Sequence, residues 1–413
     1  MPIAYKVAGI DVHKRMLAVV IANESNLEVE FQRKQFGTGA ADLQQLREWL
    51  VEEGVQAAVM ESTAQYWRPV WAELEGQCHL HLAQAQSNRA PRGRKRDFAD
   101  AERLVRRWIA GELILSFVPG PEQRLWRTLT HAQVQLTHDK VRLVNQLEAL
   151  LEQAHIKLSS WVSDLTGLSA RRMLQALAQG ATHPGHIAEL AAPTLRATGE
   201  QLRDALAAAA SMPAVLRAML GQILERLALL EQHLDESKKA AAELMQPHQE
   251  AVARLAEVPG IGPHAAQQMI AEVGPRAATF DSAARLASWV GVCPGREESA
   301  GESSSDRSPK GNRAMRRILN QAANAAVRAK GTVFSEQYRK MVTRLGHHKA
   351  VWAVAHSLCR IAWKILHQAV RYEERGNRPS PQAVRQRVNR IKAELKRLGY
   401  QVQLTPVVVE TPA

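Results

Sequence analysis

Apolar and polar positions change their period along the chain, and the changes mark its elements. Short apolar runs come first. Residues 5–12 and 16–22 read as adjacent strands, with 27–35 a third. Leu43, Leu46, Trp49 and Leu50 then recur at helical spacing over about 40–53. Strand 56–61, helix 67–76, strand 79–85 and a helix from about 97 to 112 follow. Strands first, then helix and strand in alternation, predict a mixed α/β sheet, ended by Pro119 and Pro121.

From residue 122 the texture becomes helical. Leu129, Leu136, Leu143 and Leu150 fall at seven-residue spacing, and Leu216, Leu220, Ile223, Leu227, Leu230 and Leu234 alternate by four and three. These two coiled-coil-like helices can form an antiparallel hairpin or pair with another subunit, and the pattern leaves both open. The Ala-rich stretch between them, broken by Pro184, Pro193 and Pro213, reads as short helices and turns. A further helical unit begins near 250, and after 346 come the helical run Ala350–Val370, the basic helix Pro381–Leu398 and a tail. The expected divisions are 1–120 (sheet), 121–248 (long helices), 249–345 (helical, with a serine-rich loop) and 346–413 (basic extension and loose tail).

A chain of 413 residues exceeds one typical core, which fits several units. Lys and Arg number 54 against 41 Asp and Glu, a formal charge of +13, so the expected partner is nucleic acid or another anionic surface. No apolar stretch approaches the roughly 20 residues of a membrane span. The first residues run into a strand without a signal-peptide layout. Cys78, Cys293 and Cys359 are far apart and lack a CxxC pair, so reduced thiols in a cytoplasmic protein are expected rather than a zinc site.

Against that background four acids stand out. Asp11 ends the apolar run Val7–Ile10, and Glu61 ends Ala57–Met60. Asp97 and Asp100, on one face of a predicted helix, follow the basic run Arg92, Arg94, Lys95 and Arg96. Carboxylates at strand ends facing a helix start can gather oxygen ligands for Mg²⁺. Two such ions roughly 4 Å apart stabilise both the attacking and the leaving oxygen of a phosphodiester. Asp97 alone would read as a helix cap. Gly9-Ile10-Asp11 also opens sugar-kinase and actin-like ATPase folds, but Val12-His13-Lys14 follows here, without a Gly- or Thr-rich phosphate turn.

Two later motifs bear on nucleic acid. Val258-Pro259-Gly260-Ile261-Gly262-Pro263 resembles a helix-hairpin-helix turn, in which Gly260 and Gly262 let backbone N–H groups approach phosphate. The same hexapeptide also suits an ordinary helix–helix turn. Gly291-Val292-Cys293-Pro294-Gly295 leads into Glu298-Ser299-Ala300-Gly301, then Ser303, Ser304, Ser305, Arg307 and Lys310-Gly311-Asn312-Arg313, with Arg316 on the next helix. A serine in a Gly-flanked loop can reach a phosphate while neighbouring Arg and Lys stabilise its oxygens.

The order Gly9-Ile10-Asp11-Val12-His13-Lys14, Glu61, Lys95-Arg96-Asp97-Phe98-Ala99-Asp100-Ala101, Val258–Pro263, Gly291–Pro294, Glu298–Gly301 and Lys310–Arg313 resembles the DEDD transposases of the insertion sequence 110 family. The resemblance implies an RNase H/RuvC-like domain whose Asp11, Glu61, Asp97 and Asp100 bind Mg²⁺. It implies Ser299 as a nucleophile that joins covalently to DNA, within homodimers or tetramers that pair one subunit's acids with another's serine. It also implies an element-encoded guide RNA that reads target and donor DNA by base pairing. Arg96 stands where relatives commonly carry Thr, and Ala300 follows Ser299 where many carry Gly. Ser303, Ser304 and Ser305 lie close enough to leave the choice of serine open. A junction resolvase without a covalent intermediate and a non-catalytic nucleic-acid-binding protein are the alternative readings.

Overall fold

The computed structural model describes residues 5–25, 28–61, 64–85, 88, 97–294, 297–299, 302–305, 308–374, 381–397 and 399–400. The chain divides into two compact units at Gly120/Pro121.

The first unit is a six-stranded mixed sheet. β1 (Tyr5–Val12), β2 (Met16–Ser25) and β3 (Glu28–Gly37) form an antiparallel meander. α1 (Ala40–Glu52) crosses to β4 (Ala57–Glu61), which lies parallel to β1. α2 (Trp67–Leu74) leads to β5 (His79–Ala83), parallel to β4. α3 (Asp97–Ile109) precedes the two-residue β6 (Leu115–Ser116), giving the order β3-β2-β1-β4-β5-β6. β6 is absent from the sequence reading, since two residues carry no period.

Both faces of the central strands are covered, which is why they read as continuous apolar runs rather than alternating ones. Ala8, Ile10, Leu17, Val19, Ala58 and Met60 pack on Leu43, Leu46 and Leu50 of α1 and Val70, Trp71 and Leu74 of α2. Val7, Val20, Ala22, Ala57, Val59 and Ala83 face Ala101, Leu104 and Val105 of α3. Here α3 lies close. A Cβ on Gly9 would fall 2.4 Å from the Ala101 carbonyl oxygen and 2.7 Å from Val105 Cγ2, so only glycine fits.

Among its described residues the second unit's regular elements are helical apart from one small hairpin. α4 (Pro121–Gln153) is followed by α5 (Leu168–Ala178), α6 (Pro184–Ala188) and α7 (Gly199–Ala205), and then by α8 (Ala214–Leu244). Gln133 donates to the Ser237 carbonyl (2.8 Å) and Lys140 pairs with Glu231 (2.9 Å), so α4 and α8 run antiparallel. On α8, Leu216, Leu220, Ile223, Leu227 and Leu234 are buried as spaced. On α4 the seam is Trp126, Thr130, Gln133, Leu143, Leu147 and Leu150, with Leu129 and Leu136 half-buried beside it. The far end of this pair shares a core with α5–α7.

The near end shares another core with α9 (Gln249–Ala256), α10 (Pro263–Val273), α11 (Ala283–Val290), α12 (Arg313–Ala326) and α13 (Val333–Gln368). Between α11 and α12 rises the hairpin β7 (Glu297–Ser299) and β8 (Glu302–Ser305), of which the backbone alone is described. α13 breaks at Gly346 (φ 75°). The run beginning at Ala350, assigned from sequence to a separate extension, packs into this same core through Val351, Val354, Ala355, Leu358, Cys359, Ala362 and Ile365. α14 (Pro381–Arg397) follows. Among the described residues no helix is long and apolar enough to cross a membrane.

Candidate active site

Strand register and one helix gather the acids of the first unit. β1 and β4 are parallel, with Ile10 opposite Met60 as their last pair. One step further sets Asp11 beside Glu61, and the two-residue side-chain period turns both toward the face that α3 covers. α3 presents Asp97 and Asp100 in its first turn, where the helix dipole favours negative charge. Its apolar stripe, Ala101, Leu104 and Val105, seats it on the sheet next to Gly9, two residues before Asp11. Arg33 on β3 pairs with Glu102 (2.6 Å) and fixes the outer side of the helix.

Partners hold these carboxylates in place. Asn88, 2% exposed, donates from Nδ2 to Glu61 Oε2 (2.8 Å). Arg103 Nε donates to the Asn88 carbonyl (3.2 Å) and Oδ1 (3.3 Å), while its Nη2 pairs with Asp100 Oδ1 (2.7 Å). Glu61, Asn88, Arg103 and Asp100 thus form one chain of charge-assisted contacts. His13, held in the β1–β2 turn by its N–H to the Met16 carbonyl (3.0 Å), brings Nε2 to 3.0 Å from Asp11 Oδ2 and 3.4 Å from Asp97 Oδ1.

Asp11 is the electrostatic centre. Burial pushes its carboxyl above the ordinary value of 3.8. His13 opposes that rise, and the negative charges of Asp100, Glu61 and Asp97 add to it. Its Oδ2 is shut off from solvent and accepts no hydrogen bond, with His13 Nε2 its ion-pair neighbour at 3.0 Å. A buried, unsatisfied carboxylate oxygen among three further acids suits a hard divalent cation, which would supply the missing partner and offset the repulsion. Among the described residues Asp11, His13 and Asp97 place one ligand atom each within 4.8 Å of one another, so an imidazole nitrogen joins two oxygen donors, while Glu61 and Asp100 lie outside that group on Asn88 and Arg103.

In the second unit the serine hairpin stands on an interlocked foot. Gly291 ends α11 in the left-handed region (φ 74°), and a Cβ there would meet the Pro309 carbonyl at 2.6 Å. A Cβ on Gly311 would lie 2.3 Å from the Val290 carbonyl and 2.6 Å from the Gly291 nitrogen. Arg316 closes the foot. Its guanidinium donates to the Gly291 carbonyl, the Pro309 carbonyl (2.9 Å) and Ser308 Oγ (3.1 Å), and lies over the Trp352 ring (4.6 Å). Arg316, expected from sequence at nucleic acid, is therefore committed to the loop. Lys310 and Arg313 are exposed.

The turn at 258–263 joins α9 to α10 as a helical hairpin. Gly260 (φ 89°) is pressed against α12, where a Cβ would meet the Ala322 carbonyl at 2.3 Å, so its backbone serves packing. Gly262 is exposed at the α10 N-terminus. Arg92, Arg94, Lys95, Arg96 and Arg307 lie outside the described residues, and Ser299 is described as strand backbone, paired with Glu302 across the hairpin. The sequence reading missed His13, Asn88 and Arg103 as parts of the acid site. His13 sat within the quoted motif and Arg103 one turn past Asp100, but Asn88 carried no signal.

Two family models match the chain. One, described as a transposase of the DEDD IS110 type, matches residues 8–156, and the other, described as Transposase IS116/IS110/IS902 family, matches 252–339. Together they span more than half of the 413 residues. No curated protein matches. The first includes all four acids, and the second includes the serine hairpin and its foot.

Proposed function

Because this chain belongs to the IS116/IS110/IS902 transposase family, and so is a DNA transposase of a mobile element, we propose that it cuts and rejoins DNA with Ser299 as nucleophile and Mg²⁺ held by its four acids. The observation that carries the metal part is the solvent-shielded Asp11 Oδ2, which accepts no hydrogen bond, with His13 and Asp97 offering ligand atoms within 4.8 Å and the charges of Asp100, Glu61 and Asp97 raising its carboxyl. Mg²⁺ bound there would neutralise charge developing on the phosphate oxygens. Asp11 and Glu61 would be the strand-borne ligands, Asp97 and Asp100 the helix-borne ones, and His13 a nearby nitrogen donor. Asn88 and Arg103 orient Glu61 and Asp100 before the substrate arrives.

In the cutting step the Ser299 oxygen bonds to phosphorus as the bond from phosphorus to one deoxyribose oxygen breaks. The serine proton passes to a base and the departing sugar oxygen takes up a proton. One phosphoester replaces another, so the bond energy is kept for rejoining. The acids and the serine act as halves of one site supplied by different subunits of a dimer or tetramer. Lys310, Arg313 and the run from Arg92 to Arg96 contact phosphate backbones, in keeping with the charge of +13. An element-encoded guide RNA carries the sequence reading, and the protein works in the cytoplasm.

The test is incubation with element-end DNA, its RNA and Mg²⁺, followed by denaturing electrophoresis. A protein–DNA adduct is expected, and it should disappear in Ser299→Ala and in Asp11→Asn. An adduct that survives Ser299→Ala overturns the serine assignment. Nicking without any adduct would make the protein a hydrolytic resolvase, and no cleavage with any divalent metal would make it a binding protein.

A further inference from the structure

Outside the acid site, the fully buried acidic residue among the described residues that the chemistry above leaves unused is Glu272, 2% exposed on α10 in an otherwise apolar core. It is surrounded by donors. Asn312 Nδ2 donates to its Oε2 (2.9 Å), His131 Nε2 lies 2.6 Å from Oε1, and Arg127 Nε lies 3.5 Å from Oε2. Arg127 also donates to the carbonyls of Ala271 (3.1 Å) and Glu272, and Gln123 donates to Ala271 (3.0 Å). Three side chains of α4 therefore grip the last turn of α10, and the carboxylate they hold reaches one residue beyond, Asn312.

Asn312 is where the serine hairpin re-enters the helical core. Its N–H donates to the Trp289 carbonyl (3.2 Å), and its Oδ1 accepts from Met315 N–H (2.8 Å), capping α12. Its predecessor Gly311 is wedged against Val290 and Gly291. The amide accepts the capping hydrogen bond with one atom and donates to a carboxylate with the other. Burial alone would push the Glu272 carboxyl up, but His131, Arg127 and Asn312 outweigh it and hold the carboxyl below its ordinary value. A packed apolar side chain would serve this core at least as well as a buried charge. What the charge adds is direction: it fixes the amide at the hairpin's exit.

We propose that Glu272 is a positioning residue for the serine hairpin, holding its foot through Asn312 and tying it to α4. This rests on the reading of the hairpin serine as nucleophile. The test is a donor–acceptor swap in the full chain. Asn312→Asp keeps the α12 cap but sets a carboxylate against Glu272. Combining it with Glu272→Gln restores a hydrogen bond of reversed polarity. Hydrogen exchange of the amides at 297–305 is measured beside single-turnover adduct formation with element-end DNA, its RNA and Mg²⁺, and circular dichroism checks folding.

Asn312→Asp is expected to speed hairpin exchange and to slow the adduct by roughly tenfold or more, since small misplacements of a reacting group cost that much. DNA affinity and exchange in α11 should stay unchanged, and the swap should recover both losses. Wild-type exchange and adduct rates in Asn312→Asp would overturn the proposal. So would a folded swap variant that recovers neither, or faster exchange spread evenly over the second unit. If the wild type forms no adduct, the serine assignment falls, and the exchange response with its recovery still decides whether Glu272 positions the hairpin.

Discussion

Gly9→Ala tests how the acid site is assembled without touching an acid. The added Cβ would sit 2.4 Å from the Ala101 carbonyl oxygen, 1.0 Å inside the ordinary contact limit of 3.4 Å. That oxygen belongs to helix backbone, so no rotamer change can clear it, and α3 must lift from β1 by about that distance. Overpacking of this kind costs about 1–3 kcal/mol, and a unit of this size then melts several degrees lower. The larger effect falls on geometry. Asp100 adjoins Ala101 and Asp97 lies one turn earlier, so both helix-borne acids retreat from Asp11 and Glu61. A displacement near 1 Å is worth about 10²-fold in rate.

The assays are thermal melting, Mn²⁺ binding by calorimetry and cleavage at temperatures where the variant is fully folded. Metal affinity and cleavage should both fall in folded Gly9→Ala protein. Gly9→Ala/Val105→Ala should stay impaired, because it removes the 2.7 Å contact and leaves the carbonyl clash. A folded Gly9→Ala protein with native metal affinity and cleavage would refute the claim that the seating of α3 sets the carboxylate geometry.

Asp11→Asn should stabilise the metal-free protein at neutral pH. The folded state binds the Asp11 proton more tightly than the unfolded chain, because its carboxyl lies above 3.8. Ionised Asp11 is therefore a destabilising charge, relieved as pH falls through that raised value toward 3.8, the reverse of a salt-bridged acid. A higher Tm is expected in the absence of metal, and saturating Mg²⁺ should cancel the advantage. An unchanged or lower metal-free Tm would count against the buried charge. Arg316→Ala should loosen the serine hairpin in hydrogen exchange and slow adduct formation while leaving the salt dependence of DNA binding alone. Arg313→Ala should do the opposite, weakening binding across sequences and reducing the salt slope by about 0.9. Exchanged phenotypes would reverse the roles assigned to these two arginines.

The first unit was legible because its signals are local. Buried parallel strands print apolar runs, and an acid that ends such a run stands near the strand's end whatever follows, so Asp11 and Glu61 can be placed on their strands from the chain alone. Gly9 stands out in the sequence only as part of a motif, since the helix that excludes a side chain there comes about ninety residues later. Asn88 and Arg103 act through contacts across the β5–α3 connection, which no spacing encodes. Arg316 shows the opposite failure. Charge beside a serine loop suggests phosphate, whereas the carbonyls it binds belong to turns that composition does not reveal. Gly260 likewise suits a phosphate-gripping turn in sequence and a helix crossing in space.

The interlocked foot has one more consequence. With the backbones of Gly291 and Gly311 in contact, and Ser308 and Pro309 held to Arg316, the segment before Ser308 is closed off by residues that lie outside the serine hairpin itself. Lengthening a segment closed in this way costs only about 0.6 kcal/mol per doubling. The reach and chemistry of the serine segment can therefore vary at little thermodynamic cost, provided that the two glycines, Ser308, Pro309, Asn312 and Arg316 keep the knot tied.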